Sequence, residues 1–506
     1  MKTNKISYPL LIIDFFVFAL LGLCIGFLGV RSMGPVVHTD SPILFAVATP
    51  VFICLLIGFI LYVLMDYKYN HLKLKNIFLY FAIVIAISNI IAVASLPSEV
   101  ILPNGAEPLI ITPLTRVYYL MSGFAFGLMS YLCFYLIPRK IFNRRYMDII
   151  LMLVLVASFL MIFLSFIVEW DSYAHMFSQH FIDIEPYALK SICGQKNIFG
   201  RMLLYGVFAT ILLRIKRKNA KWLLLNIPLC LFLLLTFSKM AIILALLTLL
   251  IYFIVRVVML CKKNKDNLII TLSIVGFIAI LSPIFIVSLI YSESGIMYEV
   301  RRLFIKFGES ANATFNSRIL IWQSAFKLLA PHQYIFGFGI DTFGYALHNT
   351  YAMVAPEWEN LDFIYNGHNL FVDLIGRGGI ILLGVYLFLH VYVIYVALKL
   401  RKKTPFLSLA TIVLLIMYLC YGITDASCLC GADDSVMTNL VIVFPIMSEY
   451  FILLDADEIK AKKEIVDASK KIKKVNFASK ILNLNKKRLI FEAKYIAYDL
   501  NNKVKF

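Results

Sequence analysis

Four polar residues at the head of one apolar stretch have types and a spacing that suit chemistry. Residues 365–379 read YNGHNLFVDLIGRGG and continue into a long apolar segment. Asn369, Asp373 and Arg377 are four residues apart, so a helix would align them in one polar stripe. His368 precedes this helix, and a histidine, with an ordinary pKa of about 6.5, suits general-base catalysis. These residues predict proton transfer, provided that the surrounding elements hold them beside a substrate.

The composition shows what those elements are. The chain of 506 residues is 61% hydrophobic and only 15% charged, which excludes an ordinary soluble protein. Apolar runs of roughly 20 residues, the length that crosses a bilayer, begin near Tyr8, Ile43, Ile77, Val117, Met147, Ile198, Trp222, Met240, Leu268, Gly378, Pro405 and Val436. We therefore predict an all-α polytopic membrane protein with about twelve transmembrane helices.

The Lys and Arg residues predict the orientation of these helices. Every second connection is basic, for example 214–221 and 399–403, and insertion retains basic connections in the cytoplasm. Both termini are therefore predicted to be cytoplasmic, and the other connections face outward. The net charge of +18 follows from this topology. Nucleic acid is not an expected partner, because no basic residues are interleaved with aromatic ones on a soluble face.

Long connections and a change of composition divide the chain. The predicted parts are helices 1 to 9 (1–290) with an outer loop (168–197), a large extracytoplasmic helical loop (291–367), helices 10 to 12 (368–455) and a basic tail (456–506). In the large loop, SRILIWQSAFKLL has helical apolar spacing, whereas APHQYIFGFGIDTFG interrupts it with Pro and Gly. The tail is predicted either to lie on the anionic inner leaflet or to form a solvated basic helix.

The polar stripe cannot face lipid. A charged side chain at the centre of a lipid-facing helix costs about 2.5–3.5 kcal/mol, so the stripe must face protein or water. Asp373 and Arg377 are spaced for an intrahelical ion pair that orients the helix. They are also spaced to reach a substrate, and the sequence leaves both readings open. His368 lies at the outer interface, where it needs no partner to be stable.

Several cations lie on the predicted outer side, against the insertion bias. They are Lys196, Arg201, Lys239, Arg301, Arg302, Lys306 and Arg318. Each one alone fits a snorkelling side chain or a local ion pair. Together they are better explained by a bound anion, and a lipid diphosphate is the outer-face anion that several Arg and Lys match best.

A sugar attached to such a diphosphate would make the lipid diphosphate a leaving group. The cations would then stabilise the charge that grows as the bond breaks, and His368 would take the proton from an attacking sugar hydroxyl. A metal ion is a weaker expectation. The only close outer pairs of the D-x-E or E-x-E kind are Asp183 with Glu185 and Glu357 with Glu359, and the cysteines show no metal spacing.

Three motifs carry a resemblance to a known family: LLLTFSKMA, SRILIWQSAF followed by IFGFGIDTFG, and GHNLFVDLIGRGGIILL. In these motifs and in its topology the chain resembles the O-antigen ligase and polymerase family, integral-membrane glycosyltransferases with a GT-C-like fold. The resemblance implies that Arg318 and Lys239 hold the lipid diphosphate and that His368 activates the acceptor. The family usually has Ser-Arg-Gly where this chain has Ser238, Lys239 and Met240, so the bidentate arginine fork is lost there.

The resemblance also implies a reaction. The expected enzyme is a metal-independent hexosyltransferase without a cofactor, a polysaccharide polymerase of O-antigen or capsular type in the bacterial inner membrane, with an extracytoplasmic active site. It would transfer a glycan from undecaprenyl diphosphate to the non-reducing end of another lipid-linked repeat unit. Membrane lipids and a chain-length regulator protein are further expected partners. The predicted substrate-binding residues are Asn369, Lys196, Asn197, Arg201, Arg377, Asp373, Arg301 and Arg302.

Two alternatives stay open at this point. A ligase of the same family would pass finished glycan to a different acceptor, and the motifs do not separate it from a polymerase. A flippase or transporter would have the same number of spans, but short outer loops and polar residues deep in the bilayer. The long outer connections argue against a transporter.

Overall fold

A computed structural model gives the fold. It describes residues 42–70, 77–106, 108–140, 144–178, 188–193, 196–263, 318–352, 366–423 and 439–454, with single positions elsewhere. The predicted spans near Tyr8 and Leu268 and nearly all of the predicted tail lie outside the described residues. So do the part of the predicted large loop before Arg318 and the four carboxylates weighed as metal ligands.

Helices make up most of the described chain. They are α1 (Pro42–Asn70), α2 (Ile77–Ser95), α3 (Pro113–Tyr131), α4 (Arg144–Val168), α5 (Trp170–Ser178), α6 (Lys196–Arg217), α7 (Lys221–Leu235), α8 (Lys239–Lys263), α9 (318–328), α10 (Gln333–Phe336), α11 (Thr342–Ala352), α12 (Leu370–Leu400), α13 (Pro405–Gly422) and α14 (Asn439–Leu454). A π-helical turn, Leu132–Leu136, follows α3, and another, Asn439–Val443, opens α14. Between α2 and α3, β1 (Glu99–Val100) pairs antiparallel with β2 (Leu109–Ile110).

Seven helices within the described ranges are long and apolar enough to cross a membrane, as expected for a polytopic membrane protein. They are α2, α3, α4, α6, α8, α12 and α13. The apolar helical stretches in α1, α7 and α14 are shorter. Each of these helices corresponds to a predicted span, whereas the total of twelve stays a prediction.

Two helices form the centre of the bundle. Most side chains of α3 and α6 are buried, whereas α2, α4 and α8 bury a third of theirs or fewer and expose large apolar residues. Small residues let the central helices approach each other. Gly206 of α6 lies directly against Ser158 of α4, and the Ser158 hydroxyl donates a hydrogen bond to the Met202 carbonyl at 2.9 Å.

Helix α12 is kinked. It starts at Leu370, directly after His368 and Asn369, in agreement with the predicted helix that carries the polar stripe, and Gly378 and Gly379 interrupt it with non-helical backbone angles where the apolar run begins. Gly379 has a φ of +64°, a conformation that glycine adopts without a steric penalty. The Gly-Gly pair therefore marks a kink inside the helix and not its start.

The kink receives residues 337–341, which we call the docked segment. A break in a helix leaves carbonyls without their intrahelical donors. The Phe338 N–H donates to the Gly376 carbonyl at 2.8 Å, and the next residue along each segment forms the same kind of bond at 3.1 Å. The Ile340 N–H donates to the Asn89 side chain of α2 at 2.9 Å. The docked segment thus joins α12 to α2 about two turns below the start of α12.

Candidate functional site

His368 lies in a tight turn that leads into α12. Asn369 caps the helix, because its Oδ1 accepts the N–H groups of Phe371 and Val372 at 2.9 and 3.2 Å. The His368 N–H donates to Asn366 Oδ1 at 3.0 Å. The backbone of His368 is left-handed, with a φ of +43°, which costs a non-glycine residue about 1–3 kcal/mol. The surrounding hydrogen bonds hold the turn in this conformation and so fix the backbone position from which the imidazole side chain extends.

Asp373 and Arg377 form a buried ion pair under this turn. Arg377 Nε lies 2.6 Å from Asp373 Oδ2, and both side chains are less than a tenth exposed. The second carboxylate oxygen accepts the Gly367 N–H at 3.1 Å, and the Arg377 guanidinium also donates to the Ile340 carbonyl of the docked segment. The stripe faces protein, as predicted. Its intrahelical pair supports the turn beside His368, while its role in substrate binding stays a prediction.

The helix that opens with Arg318 is attached to the same turn. Trp322 Nε1 of α9 donates to the Gly367 carbonyl at 2.9 Å. Arg318 precedes Trp322 by four residues, so the two lie on the same face of α9. We call the hydrogen bond between Trp322 and Gly367 the clasp. It brings the face of α9 that carries Arg318 against the turn that carries His368.

Lys239 starts α8 after a very short connection. Thr236 Oγ1 accepts the Ser238 N–H at 3.2 Å, and Phe237 is left-handed, with a φ of +51°. Ser238 Oγ lies 3.3 Å from Asn197 Oδ1 at the start of α6. A side chain at Gly200 would collide with Ser238, so glycine permits this close approach. The starts of α6 and α8, with Lys196 and Lys239, therefore lie side by side.

Arg201 connects this pair of helix starts to the His368 turn. The guanidinium of Arg201 is buried over the Tyr421 ring of α13, 5.5 Å from its centroid. Two residues later, the Ile423 carbonyl accepts a hydrogen bond from Asn369 Nδ2 at 3.0 Å. The end of α13 thus contacts both the first turns of α6 and the start of α12.

These contacts gather most predicted site residues into one region, which we call the helix-start region. It contains Lys196, Asn197, Arg201, Lys239, Arg318, His368, Asn369, Asp373 and Arg377. Arg301 and Arg302 lie outside the described residues. Three loop or helix-start elements carry the residues with predicted catalytic roles. Partly buried hydrogen bonds and one cation–π contact link these elements, with α6 and α13 as intermediates for the start of α8.

Comparison with protein families found one similarity in this region. Residues 222–387, about a third of the chain, match the family model described as O-antigen ligase. This part of the chain is similar to O-antigen ligases, which supports the predicted family. Comparison with curated proteins and with solved structures found no match.

The matched range contains the three residues with predicted catalytic roles, Lys239, Arg318 and His368. Lys196 and Arg201 precede the matched range, although the structure packs their helix against it. Proteins of this family are glycosyltransferase-like membrane enzymes that act on lipid-linked polysaccharide. The match does not separate polymerases from ligases.

Sequence reasoning missed two residues that organise the site. Trp322 falls in a motif that was used for its helical spacing and for the family resemblance, and Tyr421 falls in an unremarkable apolar run. A polar indole N–H one turn after Arg318 was a usable signal, because a buried indole N–H usually finds an acceptor. Nothing in the local sequence signals that Tyr421 lies under Arg201.

Two other histidines in the matched range, His332 and His348, can be compared with His368. His332 is exposed in the turn before α10. Burial lowers the pKa of His348 in α11, which favours its neutral form. Within the ranges that the structure describes, no three His, Cys, Asp or Glu side chains are grouped as metal ligands.

Proposed function

We propose that this protein is a polysaccharide polymerase of the outer face of the bacterial inner membrane. It transfers a glycan from undecaprenyl diphosphate to the non-reducing end of another lipid-linked repeat unit. Donor and acceptor are both undecaprenyl-diphosphate-linked oligosaccharides, and the reaction needs no metal ion. The site comprises His368, Arg318 and Lys239, with the remaining residues of the helix-start region around them.

The observation that carries the proposal is the clasp. A transfer from a lipid diphosphate needs a base for the acceptor hydroxyl and positive charge for the leaving group. The hydrogen bond between Trp322 and Gly367 supports both needs at once, because it joins the helix of Arg318 to the turn of His368. The link through Ile423 and Tyr421 to Arg201 supports a second source of positive charge on the same side.

The proposed step forms one bond and breaks one. The acceptor hydroxyl oxygen attacks the anomeric carbon of the donor from the side opposite the diphosphate, which inverts that carbon. The bond from the anomeric carbon to the diphosphate oxygen breaks, and the bonding electrons leave with undecaprenyl diphosphate. His368 takes the hydroxyl proton, while Arg318 and Lys239 balance the negative charge of the leaving group. Losing one such cation costs about 100- to 1,000-fold in kcat.

Lys239 is positioned to contact the diphosphate, but a lysine cannot form the bidentate contact that an arginine forms. Its ammonium group is a compact point charge, unlike the planar guanidinium of Arg318. The first turn of α8 also contributes the positive end of a helix dipole. Asn197, which contacts Ser238 next to Lys239, is suited to hydrogen-bond the same ligand or a neighbouring sugar.

A cell-based experiment tests the proposal. Cells that produce His368→Ala at the wild-type protein level should accumulate single lipid-linked repeat units on the outer face of the membrane. Repeat units trapped on the inner face would instead indicate a flippase. Normal polymer in these cells would refute the role of His368.

The ligase is the second candidate, because the matched family model is itself described as O-antigen ligase. Polymerase and ligase differ in the acceptor. In a ligase mutant, long polymer on undecaprenyl diphosphate should persist and fail to reach its final acceptor. In a polymerase mutant, only single repeat units should persist. The chain length of the accumulated lipid-linked glycan therefore separates the two.

A further inference from the structure

A groove far from the helix-start region lies between α6, α8 and α13. It is a shallow, half-open groove and not an enclosed cavity. Aliphatic and aromatic side chains line most of it, including Ile211, Phe406 and Leu414. The lining residues come from the second halves of α6 and α8 and the first half of α13. The groove therefore lies toward the basic ends of these helices.

Three residues on one side of the groove have polar groups, although the surface that they present to the groove is almost entirely apolar. Thr248, Tyr252 and Arg256 are four residues apart on α8, and all three line the groove. The Thr248 hydroxyl is satisfied internally, since it donates to the Leu244 carbonyl at 2.6 Å. No carboxylate among the described residues forms an ion pair with Arg256. An arginine within a membrane helix is costly unless it reaches a phosphate, water or a partner.

The basic end of the bundle fixes the direction of the groove. Arg256 is the groove residue of α8 nearest the end of that helix at Lys263. Lys216 and Arg217, at the end of α6, share the single carboxylate of Asp148, which balances one of their two charges. Arg256 is thus a charge at the surface end of an apolar groove. A ligand with an anionic head and a hydrocarbon tail matches both features.

We propose that the groove binds one anionic phospholipid of the leaflet at the basic ends of the helices, with its phosphate on Arg256 and one acyl chain between α8 and α13. This site is separate from the proposed glycosyl-transfer site and does not depend on it. A guanidinium binds a phosphate through charge-assisted hydrogen bonds. The apolar lining contributes van der Waals packing around the acyl chain, because lipid tails are as apolar as the lining and no hydrophobic driving force acts between them.

Native mass spectrometry of the full-length protein tests the proposal. Detergent-purified protein is incubated with phosphatidylglycerol or with phosphatidylcholine of the same chain length. Wild type should retain phosphatidylglycerol preferentially, and Arg256→Gln should lose about tenfold or more of that preference, the value of one charge-assisted hydrogen bond. Arg401→Gln is the control, because Arg401 is exposed at the same end but does not line the groove.

A second variant tests the contact with the acyl chain separately from the contact with the head group. Ala410 lines the groove on α13, and Ala410→Phe should fill the space of the acyl chain and lower retention of both lipids. Unchanged melting temperature and a single gel-filtration peak would show that the variant is folded. The proposal is overturned if Arg256→Gln keeps the wild-type preference or if Ala410→Phe keeps the lipid. It is also overturned if the lipid that co-purifies with wild type, and is lost in Ala410→Phe, is a polyprenyl phosphate.

Discussion

Replacing Trp322 with Phe removes the donor of the clasp and keeps an aromatic ring in its place. The Gly367 carbonyl is then left without this partner in a buried position. An unsatisfied buried acceptor costs about 1–3 kcal/mol. About 1.36 kcal/mol corresponds to a tenfold change in rate. If the whole cost is added to the activation free energy, kcat should therefore fall about 5- to 150-fold.

The assay is product formation by the purified protein from a defined lipid-linked oligosaccharide, with kcat and KM determined separately. Trp322→Phe should lower kcat while KM for the lipid changes little, because the clasp positions His368 and does not touch the substrate. Trp222→Phe is the matched control, since the Trp222 indole packs on Arg217 at the basic end of α6. Wild-type kcat in a folded Trp322→Phe protein, or an equal loss in the control, would refute this reasoning.

Three further substitutions test other parts of the site. Arg318→Gln should lower kcat about 100- to 1,000-fold, while Lys327→Gln, on an exposed position of the same helix, should leave it unchanged; equal rates would contradict the assignment. Asp373→Ala leaves its buried arginine partner uncompensated and should destabilise the protein by about 3–5 kcal/mol, so an unaltered thermal unfolding curve would be inconsistent with the network. Gly379→Ala should lower the melting temperature, because the position is left-handed and lies against the Ile335 backbone, whereas Gly384→Ala, with open space around it, should raise it slightly. Similar melting temperatures for the two glycine variants would argue against the kink.

The sequence predicted which residues of an individual helix must face protein and not lipid. Charges are expensive in lipid, so the stripe of Asn369, Asp373 and Arg377 had to face protein, and the structure buries all three. The short connection before Lys239 was also predicted, because two apolar runs left almost no residues between them. The ion pair of Asp373 with Arg377 was established only by its contacts, since the same spacing suits an ion pair and a ligand site.

The long-range contacts could not be predicted. The docked segment pairs with carbonyls that are available only because the kink frees them, and this depends on backbone angles at Gly379 and not on a sequence period. The clasp joins residues 45 positions apart, and no local pattern encodes which carbonyl an indole reaches. The kink in α12 was not predicted for a related reason: the sequence shows the Gly-Gly pair, but not that donors from the docked segment compensate for the interruption.

The central claim is that the imidazole of His368 takes the acceptor proton in a polymerising glycosyl transfer. The most direct measurement is the rate at which purified protein, with a metal chelator present, converts one lipid-linked repeat unit into a ladder of longer products. Wild type and the exposed-histidine control His332→Ala should form the ladder at equal rates, and His368→Ala should form it about 100- to 10,000-fold more slowly. A ladder from folded His368→Ala at the wild-type rate would contradict the claim.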